Sequence, residues 1–426
     1  MKISPARKAA FDILYRIEAD RAYSSYLLGL YEPELSRQDR GLCHAIVLGV
    51  LRRQLYLDRI TDVLSGGKKI DPAIRIAIRI GLFQLFELDR IPDHSAINES
   101  VELAVYAKKR SAKPFVNAVL RRAVRQRPDI TYADEIDRIS IETSHPRWLI
   151  ETWSEQFGRL EAELIAKANN EPAPITFRRT AAGTDADLSG FRTSSFVNGC
   201  FFADGLTTEL SELADAGKIY FQSEGSQMVA AMVDTNSSML LLDVCAAPGS
   251  KVTQIAARGK LAPDQIVAGE FYGQRAEFMR KSAEKQAVSI DVIQHDAMHD
   301  LPYASESFDI VMVDAPCSGT GTIRRNPEIR YLLDPGDPEK LSLKQLRMLC
   351  NASKCVKTGG SLIYSTCSLE SVENESVCRR FLENAPFKPV DLRADPSLIT
   401  GLGAVRTFPS RDKLDGFFIA GFQRSS

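Results

Sequence analysis

Two different hydrophobic patterns divide the chain. In residues 1–128, apolar side chains recur every three or four positions, which predicts amphipathic helices throughout this part. From about residue 216, short apolar runs alternate with longer helical patterns, which is typical of a doubly wound α/β sheet. Residues 129–215 combine short helical and short strand patterns. We therefore predict three domains: an all-α bundle (1–128), a small α+β connector (129–215) and a Rossmann-like α/β domain (216–426).

Helix start signals divide residues 1–128 into five predicted helices. Serine and aspartate favour the position before a helix because their side chains accept hydrogen bonds from its first N–H groups, and proline favours the first turn. The predicted helices begin at Ser4-Pro5, Ser36, Asp71-Pro72, Ser95 and Pro114. The last helix ends in four arginines that suit either phosphate contacts or a solvated helix end: Arg121, Arg122, Arg125 and Arg127.

Strand patterns in the other two domains are short and apolar. In the connector, Ile175–Arg178 and Ser195–Val197 are predicted strands. In the α/β domain, five buried strands are predicted at Met239–Val244, Ile266–Gly269, Asp291–Gln294, Phe308–Val313 and Ser361–Tyr364. A further strand, Gly416–Phe422, closes the chain, and its context predicts an antiparallel edge.

Charge is unevenly distributed, although the net charge of the 426 residues is only −1. Residues 1–128 hold 23 lysines and arginines against 14 aspartates and glutamates, so the rest of the chain is acidic. A basic helical domain favours an acidic partner, with nucleic acid as the first candidate. A solvated helical surface explains the same counts, so charge alone leaves both interpretations open.

Composition restricts the compartment and the cofactors. No apolar run approaches the roughly 18 residues of a membrane helix, and the first residues carry no signal-peptide pattern. Eight cysteines without such a signal are typical of a reducing compartment, so we expect a cytoplasmic protein. The cysteines include no CxxC pair, and we therefore expect no metal site.

Polar groups follow four successive predicted strands of the α/β domain. The loop Cys245-Ala246-Ala247-Pro248-Gly249-Ser250-Lys251 follows the first strand, Glu270 the second, Asp296 the third and Asp314 the fourth. Open α/β sheets bind ligands at the carboxyl ends of their strands. Small loop residues let backbone approach a ligand, Glu270 suits two ribose hydroxyls, and Asp296 suits an adenine amino group. The set predicts an adenosyl site, although the loop matches neither GxGxxG nor a P-loop.

Two cysteines follow neighbouring predicted strands, and we expect their sulfurs to face one pocket. Cys317 lies three residues after Asp314, and Cys367 follows the last of the five buried strands. A thiolate that adds to C6 of cytosine makes C5 able to accept a methyl group from a sulfonium donor. A base must then remove the C5 proton, and Asp314 can stabilise the protonated ring through its N3/N4 edge. Taken singly, each cysteine is more often a small buried apolar residue. That structural interpretation is adopted for Cys245, Cys350, Cys355 and Cys378.

Three stretches of the helical domain carry a family resemblance. They are Arg7–Leu14, Asp39-Arg40 and Phe115–Arg122. With these stretches, residues 1–128 resemble the NusB family of small helical RNA-binding domains. The resemblance implies that this domain binds RNA.

Five stretches of the α/β domain carry a second resemblance. They are Phe221–Gln227, Asp243–Lys251, Asp314–Gly321, Tyr364–Ser368 and Asp415–Phe418. On these residues the domain resembles the Sun-type RNA cytosine-C5 methyltransferases. The resemblance implies a catalytic domain that methylates C5 of a cytosine in 16S ribosomal RNA, with S-adenosylmethionine as the donor.

The same resemblance implies a role for individual residues. Cys367 would be the nucleophile, and Cys317 would be the thiol that assists product release. Asp314 would contact both the cofactor and the target base. The loop Cys245–Lys251, Glu270, Asp296 and Asp314 would hold S-adenosylmethionine. Two positions depart from the family pattern, because Ser250 stands where glycine is usual and Glu270 where aspartate is usual; both bear on cofactor affinity.

Three alternatives stay open at this point. One is a NusB-like RNA-binding or antitermination factor that carries a degenerate methyltransferase module. Another is a cytosine-C5 methyltransferase that acts on transfer RNA. A DNA-type enzyme, in which Cys317 attacks the base, is the third. We expect a monomer that binds RNA rather than DNA or a membrane.

Overall fold

The computed structural model describes residues 3–425, which form two compact units. One unit comprises the chain up to Glu171 together with Ile323–Asp334. The other comprises Pro172–Thr322 and the chain from Pro335 onward. The predicted domain limits at residues 128 and 215 do not coincide with this division and stay predictions. Within residues 3–425, no helix is both long enough and apolar enough to cross a membrane.

The first unit is helical, as the 3.6-residue pattern predicts. Ser36 accepts a hydrogen bond from the Asp39 N–H at 3.2 Å and Asp71 accepts one from the Ala73 N–H at 3.0 Å, so both predicted caps are confirmed. The apolar stripes of α1 to α6 meet in one core. The helices up to Glu171 are α1 (Pro5–Asp20), α2 (Ser24–Tyr31), α3 (Arg37–Ser65), α4 (Pro72–Glu87), α5 (Asp93–Tyr106), α6 (Lys113–Arg125), α7 (Glu135–Thr143), α8 (Arg147–Phe157) and α9 (Arg159–Ala168).

Helix α2 was not predicted from the sequence. It has eight residues, of which Leu27 and Leu28 are buried while Tyr26 and Leu30 are exposed. Two neighbouring apolar positions do not define a 3.6-residue period, so the hydrophobic pattern does not predict a helix here.

A four-stranded antiparallel sheet opens the second unit. Its order is β2-β3-β1-β4, from β1 (Ile175–Arg179), β2 (Arg192–Thr193), β3 (Cys200–Ala203) and β4 (Ile219–Phe221). The strand predicted at Ile175–Arg178 is confirmed, but the strand predicted at Ser195–Val197 is wrong. The Ser194 hydroxyl accepts hydrogen bonds from the N–H groups of Phe196 and Val197, both at 2.9 Å, and so holds a turn between β2 and β3.

The larger sheet of this unit has the order β10-β12-β9-β8-β5-β6-β7, with β11 paired to β12. Strands β5 to β9 are mutually parallel, which confirms the predicted α/β class. The strands are β5 (Leu241–Asp243), β6 (Ile266–Glu270), β7 (Asp291–Gln294), β8 (Phe308–Asp314), β9 (Val356–Thr366), β10 (Phe387–Val390), β11 (Val405–Arg406) and β12 (Phe418–Arg424). The remaining helices are α10 (Thr208–Asp215), α11 (Glu224–Ala231), α12 (Ser250–Ala256), α13 (Gly273–Lys285), α14 (Ile329–Leu332), α15 (Asp337–Ser353) and α16 (Glu375–Asn384).

The last strand is antiparallel, as predicted, but it is not an edge. Strand β12 pairs with β9 on one side and with β10 on the other. Strand β10 was not predicted from the sequence. Only Phe387 in it is buried, and the exposed Lys388 and Pro389 follow, so the strand lacks the apolar run that marks the parallel strands. The position of β12 inside the sheet fits its five successive buried residues.

The segment Ile323–Asp334, which follows the Cys317 loop in sequence, folds with the helical unit. Glu328 is fully buried and accepts hydrogen bonds from the N–H and the hydroxyl of Ser24, at 2.8 and 2.9 Å. Arg330 is also fully buried and donates to the carbonyl oxygen of Thr143 at 3.1 Å. Burial lowers the pKa of Arg330 to about 10. Because charged residues are usually exposed, the sequence does not predict that Glu328 and Arg330 are buried.

Candidate active site

The predicted site residues share one edge of the larger sheet. The parallel strands β9, β8, β5, β6 and β7 lie side by side in this order, so their carboxyl ends point the same way. Along this edge follow Cys367, Asp314, the loop Cys245–Lys251, Glu270 and Asp296. The chain runs from β5 to β6 on one side and returns to β8 on the other, which is the topological switch point where open sheets bind ligands.

The two cysteines meet at the end of β8 and β9. Asp314 pairs with Ser365 in the parallel register, which places the residues that follow these two positions next to each other. The sulfur atoms of Cys317 and Cys367 lie 3.3 Å apart, and both side chains are partly exposed. The sulfurs therefore share one location, as the sequence predicts.

The surroundings of Cys317 make its thiol a weak acid. The hydrogen bond with Cys367 and burial raise the pKa of Cys317 well above its ordinary value. At neutral pH Cys317 is therefore held as the S–H form.

Asp314, three residues before Cys317 in the chain, is held by two polar side chains. Its Oδ1 accepts a hydrogen bond from the Ser365 hydroxyl at 2.6 Å, and its Oδ2 pairs with the ammonium of Lys251. Burial lowers the pKa of Lys251, but the charge and the hydrogen bond of Asp314, together with further nearby charges, outweigh burial and the net shift is upward. A buried ammonium thus stands beside Asp314.

The loop Cys245–Lys251 takes a tight path that depends on glycine. Gly249 has a φ of 95°, and a Cβ there would lie 2.7 Å from Cγ of Met279. Its N–H donates to the carbonyl of Ala246 at 2.7 Å, and the Ala246 N–H donates to the carbonyl of Gly269 at 2.9 Å. The loop is therefore anchored to β6.

The two other predicted cofactor carboxylates are held in different ways. Glu270 is buried and accepts a hydrogen bond from the Tyr272 N–H at 2.8 Å. Arg275 lies 3.7 Å from the other Glu270 oxygen and donates to the carbonyl of Ala247 at 3.0 Å, so it links Glu270 to the loop. Asp296 is partly exposed and accepts from the Met298 N–H at 2.8 Å.

A second close approach joins the thiol loops to the end of the chain. The Gly321 N–H donates to the carbonyl of Cys367 at 2.9 Å, and the Gly321 carbonyl accepts from the Gly416 N–H at 2.7 Å. A Cβ on Gly321 would lie 1.9 Å from the Gly416 carbonyl oxygen. Only glycine fits here, which explains why the Asp314–Gly321 and Asp415–Phe418 stretches occur together.

Sequence reasoning missed Arg178, which supports the loop from the small sheet. Its guanidinium is buried and donates to the Ser250 carbonyl at 3.1 Å, to the Thr253 hydroxyl at 2.9 Å and to the Gln286 side chain at 2.8 Å. Burial lowers the pKa of Arg178 to about 10. An arginine in a short strand pattern carries no sign of this role.

Asp243, at the end of β5, was assigned no site role from the sequence. It is 1% exposed, and its Oδ2 has no hydrogen-bond partner. Burial, together with the charge of Asp314, raises the pKa of Asp243 to about 7. The folded protein therefore binds this proton more tightly than the unfolded chain does.

The raised pKa of Asp243 predicts a pH-dependent stability. Its contribution is present below pH 4 and is lost as pH rises through about 7, since the unfolded carboxyl ionises first. Asp243→Asn, which mimics the protonated form, should remove this loss, on the order of 4 kcal/mol. Urea unfolding of both proteins between pH 4.5 and pH 8 measures it. Parallel pH profiles for the two proteins would contradict the assignment.

Among the described residues, no group of three or more histidine, cysteine or acidic side chains has the arrangement of a metal site. The site consists of carboxylates, one ammonium, a glycine-bearing loop and two thiols. A Rossmann-like sheet with these groups at its switch point defines the methyltransferase fold.

Models of known protein families match three parts of the chain. The family model described as 16S rRNA methyltransferase RsmB/F matches residues 230–423, and the NusB family model matches residues 4–125. A ferredoxin-like domain model of the RsmF/B-like methyltransferases matches residues 145–185, within the connector. The chain therefore belongs to the RsmB/F family of 16S rRNA methyltransferases, and both predicted family resemblances are confirmed.

Relatives match over the full length. The probable ribosomal RNA small subunit methyltransferase B of Bacillus subtilis is 30% identical, over 100% of both chains. The ribosomal RNA small subunit methyltransferase B of Thermus thermophilus is 31% identical, over 100% of this chain and 99% of its own. Among solved structures, PH0851 matches with a TM-score of 0.83 and 24% identity over 100% of both chains, which concerns the fold alone.

Proposed function

We propose that this protein transfers a methyl group from S-adenosylmethionine to C5 of a cytosine in 16S ribosomal RNA. Membership of the RsmB/F family supports the reaction class and the ribosomal substrate. The observation that carries the cytosine-C5 assignment is the pair of sulfur atoms 3.3 Å apart where the neighbouring strands β8 and β9 end. Methylation of an exocyclic nitrogen or of a ribose hydroxyl needs no thiol, whereas C5 of a pyrimidine does.

In the first step, Cys367 acts as the nucleophile. Its thiolate would form a bond to C6, and the electron pair released at C5 would form the new bond to the methyl carbon. The bond between that carbon and the donor sulfonium would break at the same time and leave a neutral thioether. Lys251 and Ser365 hold Asp314 where its carboxylate can bind the N3/N4 edge of the protonated ring.

In the second step, Cys317 assists release of the product. The C5 proton must leave, its electron pair must restore the C5–C6 double bond, and the C6–sulfur bond must break. Because Cys317 is held as S–H, it can pass its proton to the departing Cys367 sulfur while its own sulfur takes the C5 proton. The step leaves Cys317 as S–H, as before, and leaves Cys367 as S–H with one added proton, which balances the proton lost from C5. Cys367 returns to its thiolate form when it releases that proton to solvent.

The cofactor is assigned to the loop and the carboxylates along the sheet edge. When bound, S-adenosylmethionine supplies the methyl group. Glu270, buried at the end of β6, suits the ribose hydroxyls, and Asp296 suits the adenine amino group. The glycine-bearing loop Cys245–Lys251 suits the methionine part. The Arg178 hydrogen bond to the Ser250 carbonyl holds the start of α12 in place, although Ser250 has a side chain where glycine is usual.

The RNA is assigned to the NusB-like domain and to the thiol end of the sheet. The excess of lysine and arginine in residues 1–128 suits phosphate contacts, which give affinity without sequence preference. The target cytosine must leave its stack for C6 to reach Cys367. Ribosomal RNA as substrate agrees with our expectation of a cytoplasmic protein.

Two measurements test this function. Calorimetric titration with S-adenosylmethionine should show saturable one-site binding, and Glu270→Ala should weaken it by about 10- to 100-fold because a buried charged acceptor is lost. Glu277→Ala, on the exposed face of α13, is the matched control and should bind normally. No heat with the wild-type protein would favour an antitermination factor with a degenerate module.

The substrate is tested by mapping 5-methylcytosine in total RNA of cells with and without the gene. Loss of a single methylated position in 16S ribosomal RNA is the expected result. Loss of a position in transfer RNA instead would replace the proposed substrate and leave the chemistry unchanged. No change in any RNA cytosine would contradict the C5 assignment.

A further inference from the structure

Glu373 lies at the centre of a buried network between the two thiol loops. It is fully buried in the turn that precedes α16, and its carboxylate accepts four hydrogen bonds. Two come from Ser318, through the N–H at 2.9 Å and through the hydroxyl. The others come from the Ser368 hydroxyl at 2.6 Å and from the Gln345 amide at 2.8 Å.

These contacts tie Glu373 to both cysteines through their sequence neighbours. Ser318 directly follows Cys317, and Ser368 directly follows Cys367. The two serine hydroxyl oxygens lie 2.9 Å apart, so one carboxylate spans both loops. Gln345 also donates to the carbonyl of Pro316 at 3.0 Å, which fixes the residue on the other side of Cys317.

The network is built for an acceptor. The Ser318 N–H and the Gln345 amide N–H can only donate, and both bond to an oxygen of Glu373, which accepts. None of the described lysines or arginines forms an ion pair with Glu373, so these hydrogen bonds offset the cost of burying its polar oxygens. A fully buried carboxyl group at this place, where an apolar residue would pack, points to a requirement for the geometry that it imposes.

We propose that Glu373 is the positioning residue that sets the distance between the Cys317 and Cys367 sulfurs. This inference rests on the proposed function, in which one thiol attacks and the other passes a proton to it. The transfer needs the sulfurs within hydrogen-bond distance, and the β8 and β9 loops have no covalent link that would keep them there. Glu373 holds the two loops together through its hydrogen bonds to the residue that follows each thiol.

The sulfur-to-sulfur distance can be tested without any methyl transfer. Diamide oxidises two neighbouring thiols to a disulfide, with loss of two hydrogen atoms that intact-mass and peptide analysis detect. In the full-length wild-type protein, Cys317 and Cys367 should form this disulfide readily. Glu373→Ala removes the hydrogen bonds that hold both loops. It should slow disulfide formation at least about tenfold, since displacements of reacting groups near 1 Å have effects of this size.

Two further variants separate positioning from general loss of stability. Glu373→Gln keeps the side-chain length, and the serine hydroxyls can turn to accept from its amide, so it should restore oxidation to within about threefold of the wild-type rate. Leu349→Ala opens a cavity in the core one turn along α15 from Gln345 and removes no hydrogen bond of the network. It should lower the melting temperature and leave disulfide formation unchanged. If Glu373→Ala does not fold, Ser318→Ala replaces it, with a smaller decrease expected.

The same variants are then assayed on RNA. Glu373→Ala should raise the fraction of enzyme trapped as a covalent RNA adduct relative to turnover, and Glu373→Gln should restore the balance. Unchanged oxidation and unchanged partition in Glu373→Ala would overturn the positioning role. A slowed oxidation in a protein that methylates no cytosine would support the positioning of the thiols while contradicting the proposed function, so the two failures are distinguishable.

Discussion

Replacement of Cys367 by serine is expected to abolish methyl transfer, with a loss of at least about 1,000-fold in turnover. Serine keeps the size of the side chain, but a serine hydroxyl stays protonated at neutral pH and is a poor nucleophile towards C6. Cys317, which is assigned to the release step, is not expected to replace it. Transfer of radiolabelled methyl groups from S-adenosylmethionine to 16S ribosomal RNA measures the loss.

The control for this substitution is Cys350→Ser, a partly exposed cysteine on α15 that has no part in the proposed reaction. It should keep normal turnover, and both variants should bind S-adenosylmethionine normally by calorimetry. Retention of substantial activity in Cys367→Ser would remove this residue from the role of nucleophile. Together with a fully inactive Cys317→Ser that forms no adduct, it would favour the DNA-type arrangement.

The order of groups along the sheet edge was predictable because it depends only on strand ends. Each buried strand reads as an apolar run, and the residue after it is placed by the topology of a parallel sheet. This reasoning brought Asp314, Glu270 and Asp296 to one edge, and the structure has them there. The meeting of Cys317 with Cys367 required one more assumption, that β8 and β9 are neighbours, which their pairing bears out.

What could not be predicted are the residues that act through tertiary contacts. Arg178 is a charged side chain in a short strand pattern, and Glu373 is one in a short polar stretch. The usual interpretation of a charged side chain in either place is an exposed, solvated residue. Their burial arises only when the small sheet reaches α12 or when three loops converge. The turn at Ser194, which displaced a predicted strand, depends in the same way on a side-chain hydroxyl that bonds to backbone N–H groups.

The segment Ile323–Asp334 shows the same limit at the level of domains. Its sequence lies inside the α/β domain, yet Glu328 and Arg330 are buried within the helical unit. Pattern reasoning assigns a residue to the domain that surrounds it in sequence, and nothing in a polar loop indicates an exchange. The chain between the Cys317 loop and α15 therefore lies within the α/β domain in sequence but folds with the helical unit.

Replacement of Cys317 by serine is expected to give the second large effect, an enzyme that methylates once and remains attached to its RNA. The attack by Cys367 and the methyl transfer do not need Cys317, so the bond to C6 forms. Release needs a group that exchanges protons with the Cys367 sulfur 3.3 Å away, and a serine hydroxyl is a much weaker acid than a thiol. Turnover should fall by about 100-fold or more, within the range of a lost proton-transfer group.

Denaturing gel electrophoresis with labelled RNA detects the trapped species as a band of increased mass, and its amount should approach one RNA per protein. The double variant Cys317→Ser, Cys367→Ser should form no such band, because no sulfur is left to attack. A band that forms equally in Cys317→Ser and in the wild-type protein would mean that release does not pass through Cys317. The proton would then have to leave through another group, and Asp314, which precedes Cys317 by three residues in the chain, would be the next residue to replace.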